Sequence, residues 1–140
     1  MNLIVLEKFR NICYQITRNI PSSYEWEMDE RFNTPIIIFD KKDKDVILTT
    51  VSLEFDKYWE SDSIVKPSKI IKKLINSING IQPGQKVFAS TEADKLILFA
   101  AWWPWNNDVN ISLRIGMFTL KEKIMSNSEI REHLKEWFDL

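Results

Sequence analysis

Residues that usually carry out enzyme chemistry are scarce in this chain of 140 residues, which has one histidine, one cysteine and three glycines. Most enzyme signatures are built from these residue types: glycine-rich loops that hold phosphates, paired cysteines or histidines that hold metals, and serine nucleophiles flanked by glycines. None of these spacings occurs in the sequence. We therefore expect no catalytic residues, no cofactor and no metal, and we expect the protein to work by binding.

The lone cysteine and the lone histidine fit structural roles. Cys13 falls on one apolar stripe with Phe9 and Ile16 at helical spacing, so it is expected to be a buried, reduced side chain. A catalytic thiol would need His133, which lies on another predicted helix, and a single histidine lacks the partners of a base or a metal site. The unpaired cysteine, and a start without a basic segment before its apolar residues, predict a cytoplasmic protein.

Carboxylates are more numerous and fall into two groups. One group forms a stripe along one face of the first predicted strand: Glu25, Glu27, Asp29 and Glu30. The other group clusters at and after the end of the third predicted strand: Glu54, Asp56, Glu60 and Asp62. A strand with one wet side commonly carries such charges, so solvation alone accounts for them. The functional alternative is a docking surface for a basic partner, because complementary charge accelerates encounter. A carboxylate stripe can also occupy the phosphate channel of a nuclease, which would suit an inhibitor of such an enzyme.

One alternative from the enzyme class rests on Asp40 and on Glu54-Phe55-Asp56-Lys57. Up to the fourth predicted strand, the order of elements resembles the core of many metal-dependent nucleases. That family places an acidic residue on the second strand and Glu-x-Lys on the third. Here Lys57 comes one position late, so on a strand it would face away from Glu54. Asp56 would share the face of Glu54, and in this alternative the two carboxylates hold Mg²⁺.

The most aromatic stretch is Trp102-Trp103-Pro104-Trp105, which holds three of the six tryptophans. Neighbouring strand residues point to opposite faces, and proline cannot donate to a β-ladder, so the strand should end or lie at an edge at Pro104. At least one indole should therefore lie at a rim. Rings that cover the ends of the core are the ordinary explanation. The alternative is an aromatic anchor for a partner, extended by Tyr58 and Trp59.

The polar side of the second predicted helix is lined by Lys66, Lys69, Lys72 and Lys73. Such a helix face is typically solvated. The whole chain has a formal net charge of −1, which gives no general basic field. We therefore expect no nucleic-acid partner. We also expect no membrane partner, because no apolar run approaches the length that spans a bilayer.

Apolar periodicity and turn residues predict the order α-βββ-α-βββ-α. The first helix runs from the start of the chain to Pro21. The second opens at Pro67 and Ser68, and Ser126 with Glu129 forms a capping box for the third. Alternating or continuous apolar runs predict strands over 24–28, 36–39, 46–55, 86–90, 96–103 and 109–117.

This order predicts the α+β class, with one domain over residues 1–140. The expected architecture is a mostly antiparallel six-stranded sheet with three helices over one face. A division of the strands into two sheets is the alternative. The connection over 56–66 is expected to be irregular. Leu74 and Ile115 lie at the centres of a helical stripe and an alternating strand, so both should be nearly fully buried.

Together these features predict a non-catalytic, cytoplasmic protein-binding domain. Its most concrete form is an immunity-type inhibitor that neutralises a bacterial toxin by stoichiometric binding. The residues expected to bind the partner are Glu54, Asp56, Trp59, Glu60 and Trp105. A small dimeric secretion chaperone is an alternative, because those proteins resemble this chain in their order of helices and strands, although this chain adds a strand. The magnesium-dependent nuclease is the alternative from the enzyme class.

Overall fold

The computed structural model describes residues 3–63 and 65–140, which contain four α-helices and six β-strands. In chain order these are α1 (Leu3–Arg18), β1 (Glu27–Asp29), β2 (Thr34–Asp40), α2 (Lys44–Glu54), β3 (Lys57–Glu60), α3 (Lys69–Ser77), β4 (Lys86–Ala89), β5 (Leu96–Pro104), β6 (Asn110–Thr119) and α4 (Asn127–Trp137). A one-turn 3₁₀ helix over Lys41–Asp43 leads directly into α2. The predicted α+β class is confirmed.

The strands form one sheet in the order β1-β2-β6-β5-β4-β3, and every neighbouring pair is antiparallel. The alternative of two separate sheets is therefore wrong for the described strands. β5 and β6 form a long central hairpin, in which Trp102 pairs with Leu113. β1 and β3 are short strands at the two edges. Tyr24 and Trp26, which belong to the first predicted strand, precede β1 but still pack against the core.

The predicted strand over 46–55 is wrong, because this segment forms α2. Its alternating apolar residues and its many β-branched side chains are typical of a strand. Ile47 and Val51, however, are also four residues apart, and both are completely buried on one side of the helix. Their burial against the sheet outweighs the local preference of the backbone. The sheet still has six strands, because β3 forms within the connection that is expected to be irregular. The observed order is therefore α-ββ-α-β-α-βββ-α.

Helices cover both faces of the sheet, so the prediction of three helices over one face is wrong. α1, α2 and α4 pack on one face, where the core includes Phe9, Ile47 and Leu134. Among the described helices only α3 packs on the opposite face, where Leu74 joins a second buried cluster. β5 accounts for the difference, because every residue over 96–102 is buried. A strand that is apolar along its whole length is typical of burial on both faces.

The predicted core positions are confirmed, since Leu74 and Ile115 are both 0% exposed. Cys13 is also completely buried, and this burial raises the pKa of its thiol far above the ordinary value. The capping box of α4 is present: the Ser126 hydroxyl accepts from the Glu129 backbone, and the Glu129 carboxylate accepts from the Ser126 backbone. None of the helices in the described ranges has the length and apolar character needed to cross a membrane.

Candidate functional site

The start of α2 is fixed by a tyrosine hydroxyl that lies between two carboxylate residues. The Tyr24 hydroxyl donates a hydrogen bond to the Asp43 carboxylate and accepts one from the Asp40 backbone at 3.2 Å. The Asp40 carboxylate accepts from the Lys42 backbone at 2.8 Å, which opens the 3₁₀ turn. The hydrogen bond to Asp43 raises the pKa of Tyr24. These contacts set the direction in which the chain leaves β2 and enters α2.

α2 carries large apolar side chains on its outward side as well as on its buried side, among exposed polar residues. Ile47 and Val51 are completely buried, whereas Val46 is 59% exposed and Leu53 is 78% exposed. A surface helix ordinarily carries its apolar residues on one stripe, and a helix that is apolar all round is ordinarily buried. α2 therefore presents apolar surface that the described part of the chain does not cover.

A cleft, which we call the α2 cleft, lies between α2 on one side and strands β3, β4, β5 and β6 on the other. It consists of two cavities of about 430 and 310 Å³, which share Leu48 and Lys86 as lining residues. The larger cavity is lined in part by Trp102, Pro104, Trp105 and Ile111, and the smaller by Ser52, Phe55, Tyr58 and Phe88. The smaller cavity has mainly aromatic and aliphatic walls, as binding pockets generally do. The larger cavity combines such walls with charged residues at its rim: Lys41, Lys44, Asp45 and Asp108.

Lys86 is the polar centre of the α2 cleft. Its ammonium group donates to the Tyr58 hydroxyl at 3.0 Å and to the Glu60 carboxylate, and it lies 5.4 Å from the centre of the Tyr58 ring. Partial burial opposes the charge of Lys86, but the hydrogen bonds to Glu60 and Tyr58 outweigh it and raise the pKa of the ammonium group. The same bond to Lys86 lowers the pKa of Glu60. The pair therefore stays charged at neutral pH and holds Tyr58 in place.

The structure places two of the predicted binding residues at the α2 cleft: Trp105 lines the larger cavity, and Glu60 is bonded to Lys86. Trp59 was expected to share their surface, but it is 6% exposed and packs under α3 on the opposite face of the sheet. Side chains alternate along β3, so Tyr58 faces the cleft instead. The sequence over 56–66 shows no strand pattern, and without a strand no alternation assigns the two rings to opposite faces.

The remaining predicted carboxylates lie outside the α2 cleft. Asp56 accepts hydrogen bonds from the Thr91 hydroxyl at 2.8 Å and from the Thr91 backbone at 3.3 Å, so it ties the start of β3 to the segment that follows β4. Glu54 ends α2 and lines a different groove, on the outward side of the helix. Lys86 and Leu48 were not predicted, and no pattern in the sequence distinguishes them from other strand or helix residues.

Two members of the acidic group around the first strand form ion pairs within the fold. Asp29 lies 2.7 Å from the guanidinium of Arg114, and Glu30 binds Arg131 at 2.8 Å. The Arg114 guanidinium also stacks on the half-buried Trp103 ring, with 4.2 Å between its central carbon and the ring centre. These contacts indicate that Trp103, Asp29 and Glu30 serve the fold.

The arrangement on which the nuclease alternative depends is not formed. That alternative needs Glu54 and Asp56 on one strand face, but Glu54 ends a helix and Asp56 binds Thr91. Asp40 caps the 3₁₀ turn. Over residues 3–63 and 65–140, no group of three or more histidine, cysteine, aspartate or glutamate side chains has the geometry to hold a metal ion. His133 is half-buried on α4, with its ring 5.5 Å from that of Trp137.

Comparison with known proteins gives no indication of function for this chain. A scan of family models, a search of curated proteins and a search of solved structures found no match to this chain.

Proposed function

We propose that this chain is a non-catalytic protein-binding domain that acts by stoichiometric binding at the α2 cleft. The observation that supports this most directly is the pair of half-exposed rings at the cleft, Tyr58 at 43% and Trp105 at 44%. Tyrosine and tryptophan are prominent in protein interfaces because each offers a large apolar surface with few rotatable bonds. Two such rings beside preformed cavities provide anchors for the side chains of a partner.

The floor of the α2 cleft needs little rearrangement on binding. Trp102 and Phe88 are each 3% exposed and belong to the core, and Lys86 is held by Glu60 and Tyr58. A preorganised surface of this kind favours affinity, because few side chains lose freedom when the partner arrives. Truncation of a ring that anchors a partner is expected to cost about 2 kcal/mol, which corresponds to a complex about thirtyfold weaker.

The most concrete form of the proposal is a cytoplasmic, immunity-type inhibitor that neutralises a bacterial toxin. Groups that enzymes use for chemistry are engaged in the fold here: the Cys13 thiol is buried, Asp56 binds Thr91, and His133 lies against Trp137. Such a protein acts by occupying its partner. The carboxylates on the outward side of α2, where no lysine or arginine lines the groove, would favour encounter with a basic toxin, because complementary charge steers association.

The test begins with affinity capture from the native host, followed by surface plasmon resonance with the recovered partner. Trp105→Ala and Tyr58→Ala should each raise the dissociation rate about thirtyfold, because both remove a buried anchor and leave the encounter unchanged. Tyr14→Ala is the matched control, since Tyr14 is an exposed ring on α1 away from the cleft. It should leave both rates unchanged.

Two results would contradict the proposed function. Unaltered binding by folded Trp105→Ala and Tyr58→Ala proteins would place the interface elsewhere. Hydrolysis of DNA or RNA by the purified protein with Mg²⁺, abolished by Asp56→Ala, would establish the nuclease alternative instead.

A further inference from the structure

We propose that the outward side of α2 docks a basic amphipathic helix of the partner protein. This inference rests on the proposed function, because it names the chemistry of the partner. The surface is a groove of about 600 Å³ between α2 and the end of α1, lined by Asn19, Asp45, Val46, Thr49, Thr50, Leu53 and Glu54. We call it the outer groove.

The centre of the outer groove is an exposed stripe in which two apolar side chains flank a threonine. Val46, Thr49 and Leu53 are spaced three and four residues apart, so they lie above one another on the helix surface, over a length of about 10 Å. The Thr49 hydroxyl already donates to the Asp45 carbonyl at 2.8 Å, and the Thr50 hydroxyl donates to the Val46 carbonyl at 3.1 Å. The stripe therefore loses little hydrogen bonding when a partner displaces water from it.

Carboxylates stand at both ends of this stripe. Asp45 precedes Val46 and also borders the larger cavity of the α2 cleft, and Glu54 follows Leu53. Neither carboxylate forms an ion pair within the described residues, and none of the residues that line the groove is basic. A second copy docked groove to groove would bring four carboxylates together, which is unfavourable. A partner with lysine or arginine at the two ends complements the groove.

The spacing of the stripe suits a helix in the partner. Apolar side chains at positions i, i+3 or i+4, and i+7 of one helix pack into the matching rows of another. Partner helices that bind a groove are recognised by the same spacing of anchors. A basic amphipathic helix therefore matches both the apolar rows and the charges of the outer groove.

The outer groove also carries residues that are poor choices for the stability of α2. Glu54 lies at the carboxyl end, where the helix dipole disfavours a negative charge, and the last turn has no basic residue. Val46 and Thr49 are β-branched, which is unfavourable on an exposed helix face where packing gives nothing in return. Departures from local rules of this kind are expected at functional surfaces.

The inference can be tested with two synthetic helical peptides of about five turns. Both have leucines at the same amphipathic spacing, and one carries lysine where the other carries glutamate. With the full-length protein, calorimetry should show that the lysine peptide binds at least about fivefold more tightly, with less difference at high salt. In nuclear magnetic resonance spectra of the protein, the amide shifts caused by the lysine peptide should centre on Val46, Thr49 and Leu53. Asp45→Lys with Glu54→Lys should reverse the preference, and Glu54→Lys alone should reduce it.

A second pair of variants separates specific docking from nonspecific binding to exposed apolar side chains. Leu53→Ser should weaken binding of the lysine peptide about fivefold, because it removes the most exposed apolar side chain of the stripe. Leu120→Ser is the matched control, since Leu120 is 42% exposed and lies outside the groove. It should have no effect.

The failure of this inference can be told apart from failure of the proposed function. Equal affinity for the two peptides, or shifts centred outside the outer groove, would overturn the inference. Loss of peptide binding in Trp105→Ala or Tyr58→Ala would also overturn it, because the peptide would then occupy the α2 cleft. The proposed function is decided separately, by the effect of those two variants on the natural partner.

Discussion

α2 and α3 lie on opposite faces of one sheet, and they differ in the residue types that they expose to solvent. α3 buries Ile70, Ile71 and Leu74 against the sheet and turns Lys72 and Lys73 to solvent. This is the ordinary pattern of a surface helix, in which apolar residues form one stripe and charges form the other. Burial against the sheet and solvation of the lysines together account for the apolar and basic residues of α3.

α2 does not follow that pattern. It buries Ile47 and Val51, yet it exposes Val46 and Leu53 and ends in a glutamate that opposes its dipole. Folding explains the inward residues of α2, but it does not explain the outward ones. The comparison teaches that the residues to assign to binding are those that folding leaves unexplained.

The largest effect that sharpens this comparison is expected from a pair of leucines, one on each helix. Leu74→Ala should lower the free energy of unfolding by about 2–5 kcal/mol, because Leu74 is completely buried and its truncation leaves a cavity. Leu53→Ala should change it by less than about 0.5 kcal/mol, because Leu53 is 78% exposed. Equilibrium urea unfolding measures both. A loss of similar size in the two variants would show that Leu53 serves the fold.

Cys13 on α1 supplies a second reference for a residue explained by folding alone. Burial raises the pKa of its thiol in the folded protein, so above about pH 8.5, the ordinary thiol value, only the unfolded chain ionises. Ionisation of Cys13 in the unfolded chain leaves the free energy of unfolding unchanged below that pH, and should lower it by about 1.4 kcal/mol per pH unit above it. Urea unfolding across pH should show this decline in the wild type and lack this component in Cys13→Ala. Parallel pH profiles would contradict the assigned burial.

A smaller effect, of opposite sign, is expected at the end of α2. Glu54→Lys should raise the free energy of unfolding by about 0.3–1 kcal/mol, because a positive charge suits the carboxyl end of a helix. The same change should weaken binding of a basic partner, since it reverses a charge at the outer groove. Urea unfolding and partner titration together give the result. If Glu54→Lys destabilised the protein, Glu54 would have a structural role and the comparison would lose its main support.

Much of the fold could be predicted because several elements are encoded locally. The capping box at Ser126 fixes the start of α4, and the apolar stripe with Pro21 after it delimits α1. The positions of Leu74 and Ile115 in the core follow from periodicity alone.

The errors in the prediction arise where tertiary packing decides between local alternatives. The spacing of Ile47 and Val51 fits both a strand and a helix, and only the sheet beneath them selects the helix. Tyr58 lies at the α2 cleft in place of Trp59, because neighbouring residues of β3 point to opposite faces of the sheet. The apolar run of β5 did indicate burial on both faces, and that signal would have placed α3 correctly.

The central claim is that the outward side of α2 is built for binding and the outward side of α3 is not. Calorimetric titration of the recovered partner against two double variants, one on each helix, tests it most directly. The account predicts that Glu54→Lys, at a carboxylate that lines the outer groove and not the α2 cleft, weakens the complex, and that Leu53→Ser added to it weakens the complex at least about tenfold, while Lys72→Glu with Lys73→Glu leaves the dissociation constant unchanged. Equal effects of the two double variants, or an effect confined to the α3 lysines, would contradict the claim.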